Sequence, residues 1–165
     1  MSHEWQLLAA AADGDSDKVG LMILTGTQNI DCRDSENWTP LLNAAAGSRE
    51  GHLHSVQWLL MSKADVNAVN RDNVTPLHLA ALGRNEGIVA LLLRERACVD
   101  AVDKNNTTPL FMAAMMGNQN TVALLLQNNA DVTKERQGLT ALDCAVKEGH
   151  DKIAEMLRAA AGVIA

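Results

Sequence analysis

One short phrase occurs four times in the chain, and its spacing constrains the fold more than any other feature. A Thr is followed two residues later by Leu and soon afterwards by Ala, and the phrases start at Thr39, Thr75, Thr108 and Thr140. Successive starts lie 36, 33 and 32 residues apart. A period near 33 residues is typical of stacked repeat units. We therefore predict a stack of about five units in the 165 residues, with any function on the surface of the stack.

Within each copy, the order of residue types predicts two short helices joined by a turn. Thr75-Pro76 is a helix start, because a Thr hydroxyl can cap the first turn and Pro has the φ of a first helical residue. Ala80-Ala81 allows the first helix to pack closely, and Leu91-Leu92-Leu93 gives the second helix bulk. Between units, segments such as Ala64-Asp65-Val66-Asn67-Ala68 predict hairpin-like turns. Such units should stack into a curved array with the first helices on the concave side.

Composition and charge narrow the classes of function. Hydrophobic residues make up 47% and charged residues 21% of the chain, which predicts a folded domain. The net charge is −6 and no Lys/Arg cluster occurs, so we expect neither nucleic acid nor a membrane as partner. No apolar run approaches the roughly 18 to 20 residues of a membrane span, and the first residues lack the basic start of a signal peptide. Cys32, Cys98 and Cys144 are odd in number and widely spaced, which predicts reduced thiols in the cytoplasm or nucleus.

The recurring pattern resembles a known repeat. The Thr-Pro-Leu-His phrase from Thr75 to His78, the Ala pair, the Leu triplet and the Ala-Asp-Val-Asn turn are similar to the ankyrin repeat. The resemblance covers nearly the whole chain and implies an all-α fold, an ankyrin-repeat α-solenoid of stacked helix-turn-helix units joined by β-hairpin-like turns. It implies a single domain over residues 1–165, with capping repeats at both ends. The repeats are expected at about 5–34, 35–70, 71–103, 104–135 and 136–165.

Three departures from the repeat pattern carry their own predictions. The second unit has three extra residues around Gly47 to Glu50, which predict either a protruding turn or a longer first helix. In the third unit Arg84 takes the place of a Gly, which predicts strain in that turn. The tail from Ala159 to Ala165 is apolar for a terminal repeat, so either the tail folds back or the natural protein continues.

Neither a metal site nor a catalytic site is expected. His52 and His54 are the closest His pair, but no third ligand is near them in sequence. The resemblance implies that His78 forms hydrogen bonds within and between repeats. Asp34 and Asp103 each lie five residues before a Thr and are predicted to bind the backbone of their turns. No nucleophile motif, P-loop or dinucleotide fingerprint occurs, so we expect no enzyme, no catalytic residue and no cofactor.

The resemblance implies a binding surface made of the hairpin tips before each Thr and the positions seven and eight residues after it. An apolar track through these positions would include Trp38 as its strongest anchor, although some of its side chains could instead pack between repeats. The track comprises Trp38, Val74, Leu82, Met115 and Met116. The full set of protein-binding candidates is Ser35, Glu36, Trp38, Arg71, Asp72, Val74, Leu82, Lys104, Asn105, Thr107, Met115, Met116, Arg136, Leu139, Lys147 and Glu148.

The expected function is therefore a non-enzymatic protein–protein interaction module that is a monomer on its own and binds a partner protein or peptide. Two alternatives stay open at this point. One is an inhibitor or adaptor that occludes a partner enzyme's site, and the other is a small-molecule or nucleotide-sensing ankyrin domain. The resemblance also permits hydroxylation of Asn67, which lies in a turn where some ankyrin-repeat proteins carry an acceptor asparagine.

Overall fold

The computed structural model of the chain describes residues 3–26 and 29–162, and within them the regular secondary structure consists of helices, joined by turns, and one short β pair. The strands β1 (Glu135–Arg136) and β2 (Leu139–Thr140) are antiparallel, with Arg136 opposite Leu139. The all-α prediction is thus confirmed. The helices described are α1 (His3–Asp13), α2 (Ser16–Leu24), α3 (Pro40–Ala45), α4 (Glu50–Met61), α5 (Pro76–Leu82), α6 (Glu86–Arg94), α7 (Pro109–Met115), α8 (Gln119–Gln127), α9 (Ala141–Lys147) and α10 (Asp151–Ala160).

The helices pack as two layers, with each unit contributing one helix to each layer. The odd-numbered helices contact one another in the order α1, α3, α5, α7, α9 and form the first-helix layer. The even-numbered helices form the second-helix layer in the same order. The Ala pairs at 44–45, 80–81 and 113–114 are fully buried in the first-helix layer, and their small side chains allow neighbouring helices to approach closely. The Leu-rich second helices supply most of the bulk of the shared core.

The repeated Thr residues start the first helices as their sequence context predicts. Thr39, Thr75 and Thr108 each accept a hydrogen bond from the backbone N–H three residues later, and Pro follows each of them. The last unit has Ala in place of Pro, but Asp143 completes its cap by accepting from the Thr140 N–H at 2.9 Å. Each such cap stabilises a helix by about 1 kcal/mol.

His78 connects the third unit to the fourth. Its side chain is fully buried, and its Nδ1 accepts a hydrogen bond from the backbone N–H of Thr75 at 3.1 Å. Because Nδ1 is an acceptor, Nε2 carries the proton and donates to the carbonyl oxygen of Thr107 at 2.9 Å. Burial lowers the pKa of His78, which favours this neutral ring. The predicted role of His78 within and between repeats is confirmed.

The extra residues of the second unit lengthen its second helix. Helix α4 has 12 residues, against nine in α6 and α8, whereas α3 has only six. The prediction of a protruding turn or a longer first helix is therefore wrong. The added turn of α4 lies against the first unit, where Arg49 Nη2 donates to the Asp13 carbonyl oxygen at 2.7 Å. The His52 Nε2 lies 3.1 Å from the Ala12 carbonyl oxygen, and its ring fills the space that a Cβ on Gly47 would need.

Arg84, where strain was predicted, adopts the left-handed backbone conformation with φ of 58°, which is sterically costly for a residue with a Cβ. The equivalent turn residues in the first, fourth and fifth units are Gly14, Gly117 and Gly149, which adopt this conformation without steric cost. Arg84 compensates with its side chain, because its Nη2 donates to the carbonyl oxygen of Met116 at 2.8 Å in the next unit. The apolar tail begins at Ala159, in the last turn of α10, and its residues 163–165 lie outside the described residues. Whether the tail folds back therefore stays a prediction.

Candidate binding surface

The hairpin tips before Thr39, Thr75 and Thr108 are held by a carboxylate or amide at the base of the turn. Asp103 Oδ1 accepts from the backbone N–H groups of Asn105 and Thr107, each at 2.8 Å. Asp34 makes the same pair of bonds in the second unit, and Asn70 makes it in the third. The predicted backbone role of Asp34 and Asp103 is confirmed. These bonds order the tips before any partner binds.

Neighbouring hairpin tips are also bonded to each other. The backbone N–H of Arg71 donates to the Glu36 carbonyl oxygen at 3.2 Å, and that of Lys104 donates to the Asp72 carbonyl oxygen at 2.9 Å. The side chains of the same residues form ion pairs of 3.4 Å and 3.3 Å. All four side chains are exposed, so each ion pair adds less than about 1 kcal/mol. The predicted tip residues Ser35, Glu36, Arg71, Asp72, Lys104 and Asn105 are exposed as expected.

An apolar patch lies on the first helices of the third and fourth units. Leu82 and Met116, at the ends of α5 and α7, are 39% and 37% exposed, and Met115 is half-buried. Leu79 and Met112 are half-buried and lie three or four residues earlier, which places them on the same helix face. We call Leu79, Leu82, Met112, Met115 and Met116 the first-helix patch. The hydrogen bond from Arg84 to the Met116 carbonyl oxygen connects the part of the patch on α5 to the part on α7.

The predicted apolar track is divided between the two ends of the first helices. Trp38 and Val74 are half-buried and precede the capping Thr residues, whereas Leu82 is the last residue of α5. Seven helical residues at 1.5 Å each separate these ends by about 10 Å. Leu79 and Met112 bridge that distance, and the sequence interpretation missed both. The spacing of three or four residues from Leu82 and Met115 is the signal that would have identified them.

Thr107 does not belong to an exposed surface. It is 3% exposed, its N–H donates to Asp103 and its carbonyl oxygen accepts from His78. Its inclusion among the binding candidates is therefore corrected, since these bonds hold the junction between two units. Arg136 is half-buried, with its guanidinium carbon 5.5 Å from the centroid of the Phe111 ring.

The remaining candidates lie at the last unit. Leu139 is exposed in β2, and Lys147 and Glu148 are exposed at the end of α9. Opposite charges adjoin there, so this end of the surface is polar and close to neutral. Lys147 and Glu148 lie near the first-helix patch, because His150 Nε2 is 3.2 Å from the Met115 carbonyl oxygen, whereas Leu139 lies at the hairpin end of the last unit.

The titratable side chains give little sign of reactive chemistry. Burial raises the pKa of Cys32 to about 11 and also raises that of Cys144, so neither thiol is activated. His52 is buried whereas His54 is exposed, so this pair does not converge on one site. Within residues 3–26 and 29–162, no group of three or more His, Cys, Asp or Glu side chains is placed to hold a metal ion. Among the helices described, none is long and apolar enough to cross a membrane.

Comparison with known families agrees with the architecture. The sequence matches the family described as ankyrin repeats in three overlapping copies, over residues 7–103, 46–136 and 99–163. Together these matches span residues 7–163, which include part of α1 and all of the nine other helices described. The chain therefore belongs to the ankyrin repeat family, whose repeats are generally protein–protein interaction modules and typically non-enzymatic.

Proposed function

We propose that this chain is a non-enzymatic binding module that holds a partner protein or peptide against its first-helix layer and hairpin tips. The observation that supports this function is the first-helix patch, in which Leu82 and Met116 are both exposed at the ends of adjacent first helices. Single exposed apolar residues need no explanation. A row of five across two repeats is typical of a contact surface.

Rigidity is the proposed mechanism of binding. Hydrogen bonds between units, such as those of His78 and Arg84, order the surface before a partner arrives. Association then costs little backbone entropy, and a few apolar anchors supply much of the affinity. The three methionines of the patch have flexible, polarisable side chains that adapt to the shape of a partner.

The hairpin tips and the last unit form the proposed rim of this interface. Trp38 and Val74 would contact the partner at the hairpin end of the first helices, and the exposed tip residues would contact it through polar groups. The negative net charge favours a protein partner over nucleic acid or an anionic membrane. The three free cysteines support an intracellular location, in the cytoplasm or nucleus.

A pair of double variants tests the position of the interface. Leu82→Gln with Met116→Gln makes the first-helix patch polar. The matched control, Leu24→Gln with Met61→Gln, alters two second-helix residues that are more exposed, at 73% and 75%. Partners captured by the wild-type chain should be lost from the patch variant and kept by the control. Equal capture by both variants, with unchanged circular dichroism, would refute the assignment.

A further inference from the structure

Hydrogen bonds between units join the ends of the first helices into one continuous edge. Arg49 in the second unit binds the Asp13 carbonyl oxygen in the first. Asn85 Nδ2 in the third unit donates to the Gly47 carbonyl oxygen in the second at 3.4 Å. The bond from Arg84 to Met116 then joins the third unit to the fourth. A partner segment that lies along this edge therefore passes the first four units in order.

The charge along this edge is concentrated at the first unit. Its turn carries Asp13, Asp15, Asp17 and one cation, Lys18, all four exposed, and the Arg49 guanidinium of the second unit lies beside it through the bond to the Asp13 carbonyl oxygen. The turns of the second and third units each contain one Arg and one Glu, so their charges cancel, and the turn of the fourth unit has the neutral Gln119 and Asn120.

The acidic side chains of the first unit are free to meet a partner. Asp15 Oδ1 accepts from the Lys18 backbone N–H at 3.1 Å, which caps α2 and leaves the carboxylate exposed. Each of the ion pairs found within the described residues joins side chains elsewhere in the stack.

The same edge changes from small to large side chains along the stack. Ala12 and Ala46 are exposed in the first two units, at the register positions that Leu82 and Met115 occupy in the third and fourth. The first two units thus leave room above the helices, whereas the next two present apolar side chains. The edge therefore offers an apolar contact at one end and an acidic contact at the other.

We propose that the partner supplies a linear segment in which a bulky apolar side chain meets the first-helix patch and Lys or Arg side chains meet Asp13, Asp15 and Asp17. This refinement rests on the proposed function. The third unit lies two intervals from the first, and packed helices are 8 to 10 Å apart, so the two contacts are about 16 to 20 Å apart. An extended chain covers that distance in about five or six residues.

Selection of random 12-residue peptides displayed on phage, with the full chain as target, tests this chemistry. Enriched peptides should carry Lys or Arg about five or six residues from an apolar residue. Asp13→Asn, Asp15→Asn and Asp17→Asn together keep the α2 cap, because Asn caps as well as Asp. By fluorescence anisotropy, this triple variant should bind a selected peptide about tenfold more weakly at low salt, and the loss should shrink as salt screens the charges.

A second triple variant is the matched control. Asp65→Asn, Glu95→Gln and Glu155→Gln remove the same charge from exposed positions just after α4, just after α6 and on α10, and should leave peptide affinity unchanged. Two results would overturn this inference alone. In the first, the selected peptides need Leu82 and Met116 but are not enriched in Lys or Arg. In the second, they bind the triple Asp13, Asp15 and Asp17 variant with wild-type affinity. Selected peptides that tolerate Leu82→Gln with Met116→Gln would overturn the proposed function as well.

Discussion

Replacing His78 with Leu removes the polar link between the third and fourth units while keeping the site filled. Leu42 occupies the same register position in the second unit, so the fold accepts a Leu there. The substitution deletes two bonds to backbone groups, the Thr75 N–H and the Thr107 carbonyl oxygen, together with the 2.8 Å contact between His78 Nδ1 and the Thr75 hydroxyl. Any loss of stability therefore reports on these bonds and not on a cavity.

The two lost bonds differ in cost. The Thr107 carbonyl oxygen keeps a second donor, the Asp103 N–H at 3.1 Å, so its loss is about 0.5 to 1 kcal/mol. The Thr75 N–H is buried and His78 Nδ1 is its acceptor, so leaving it unsatisfied costs about 1 to 3 kcal/mol. We expect the free energy of unfolding to fall by about 1.5 to 4 kcal/mol at pH 7.5. Leu42→Met, an apolar exchange at the same register position, should cost less than about 1.5 kcal/mol.

The cost should also depend on pH in a defined direction. Burial holds the pKa of His78 in the folded chain below the ordinary value of about 6.5 that it has when unfolded. Below pH 6.5 the unfolded chain binds the proton more readily, so the contribution of His78 to stability is complete above that pH and is lost as the pH falls. The difference in unfolding free energy between wild type and His78→Leu should therefore shrink between pH 7.5 and pH 5.

Urea titrations followed by circular dichroism at both pH values measure this difference. A difference that stays constant with pH would refute the assignment of a neutral, buried ring. A loss below about 1 kcal/mol at pH 7.5 would refute the energetic role of the link.

Three further predictions concern other parts of the framework. Gly51→Ala should lower the free energy of unfolding, measured in urea, by more than about 2 kcal/mol, because the added Cβ would meet a backbone carbonyl oxygen. Gly87→Ala should raise this free energy by about 0.5 to 1 kcal/mol, because the added Cβ would mainly meet a flexible Leu side chain. Asp103→Ala should lower the free energy of unfolding by about 2 kcal/mol in the same assay, because both turn N–H groups lose their acceptor. Asp103→Asn should lower it by less than about 1 kcal/mol, because the amide oxygen can still accept from both groups. A thiol reagent at pH 8 should modify the exposed Cys98 first and the buried Cys32 only on unfolding, and early labelling of Cys32 by mass spectrometry would contradict its burial.

The helix pairs and their starts were predictable because they depend on neighbouring residues. A capping Thr with Pro next to it specifies a helix start through bonds within four residues, and the period of about 33 residues follows from repeating this local signal. Arg84 was recognised for the same reason, since a turn position normally held by Gly requires a positive φ.

The remaining features depend on contacts between units, which the sequence does not show. Thr107 was predicted to be exposed because it precedes a capping Thr, but its carbonyl oxygen accepts a bond from His78, 29 residues earlier in the neighbouring unit. The extra residues near Gly47 were predicted to give a protruding turn or a longer first helix. Carbonyl oxygens of the first unit contact Arg49 and His52 instead, and these contacts favour a longer α4. Half-buried residues such as Met112 combine packing and exposure, and composition alone cannot separate the two.

Site-specific photo-crosslinking in cells tests the central claim most directly. A photo-crosslinking amino acid is placed in turn at position 116 in the first-helix patch and at position 61 on the second-helix layer, and the adducts are identified by mass spectrometry. We predict a protein adduct at position 116, loss of that adduct when Leu82→Gln is added, and no matching adduct at position 61. The same partner captured at position 61 and absent at position 116 would contradict the account.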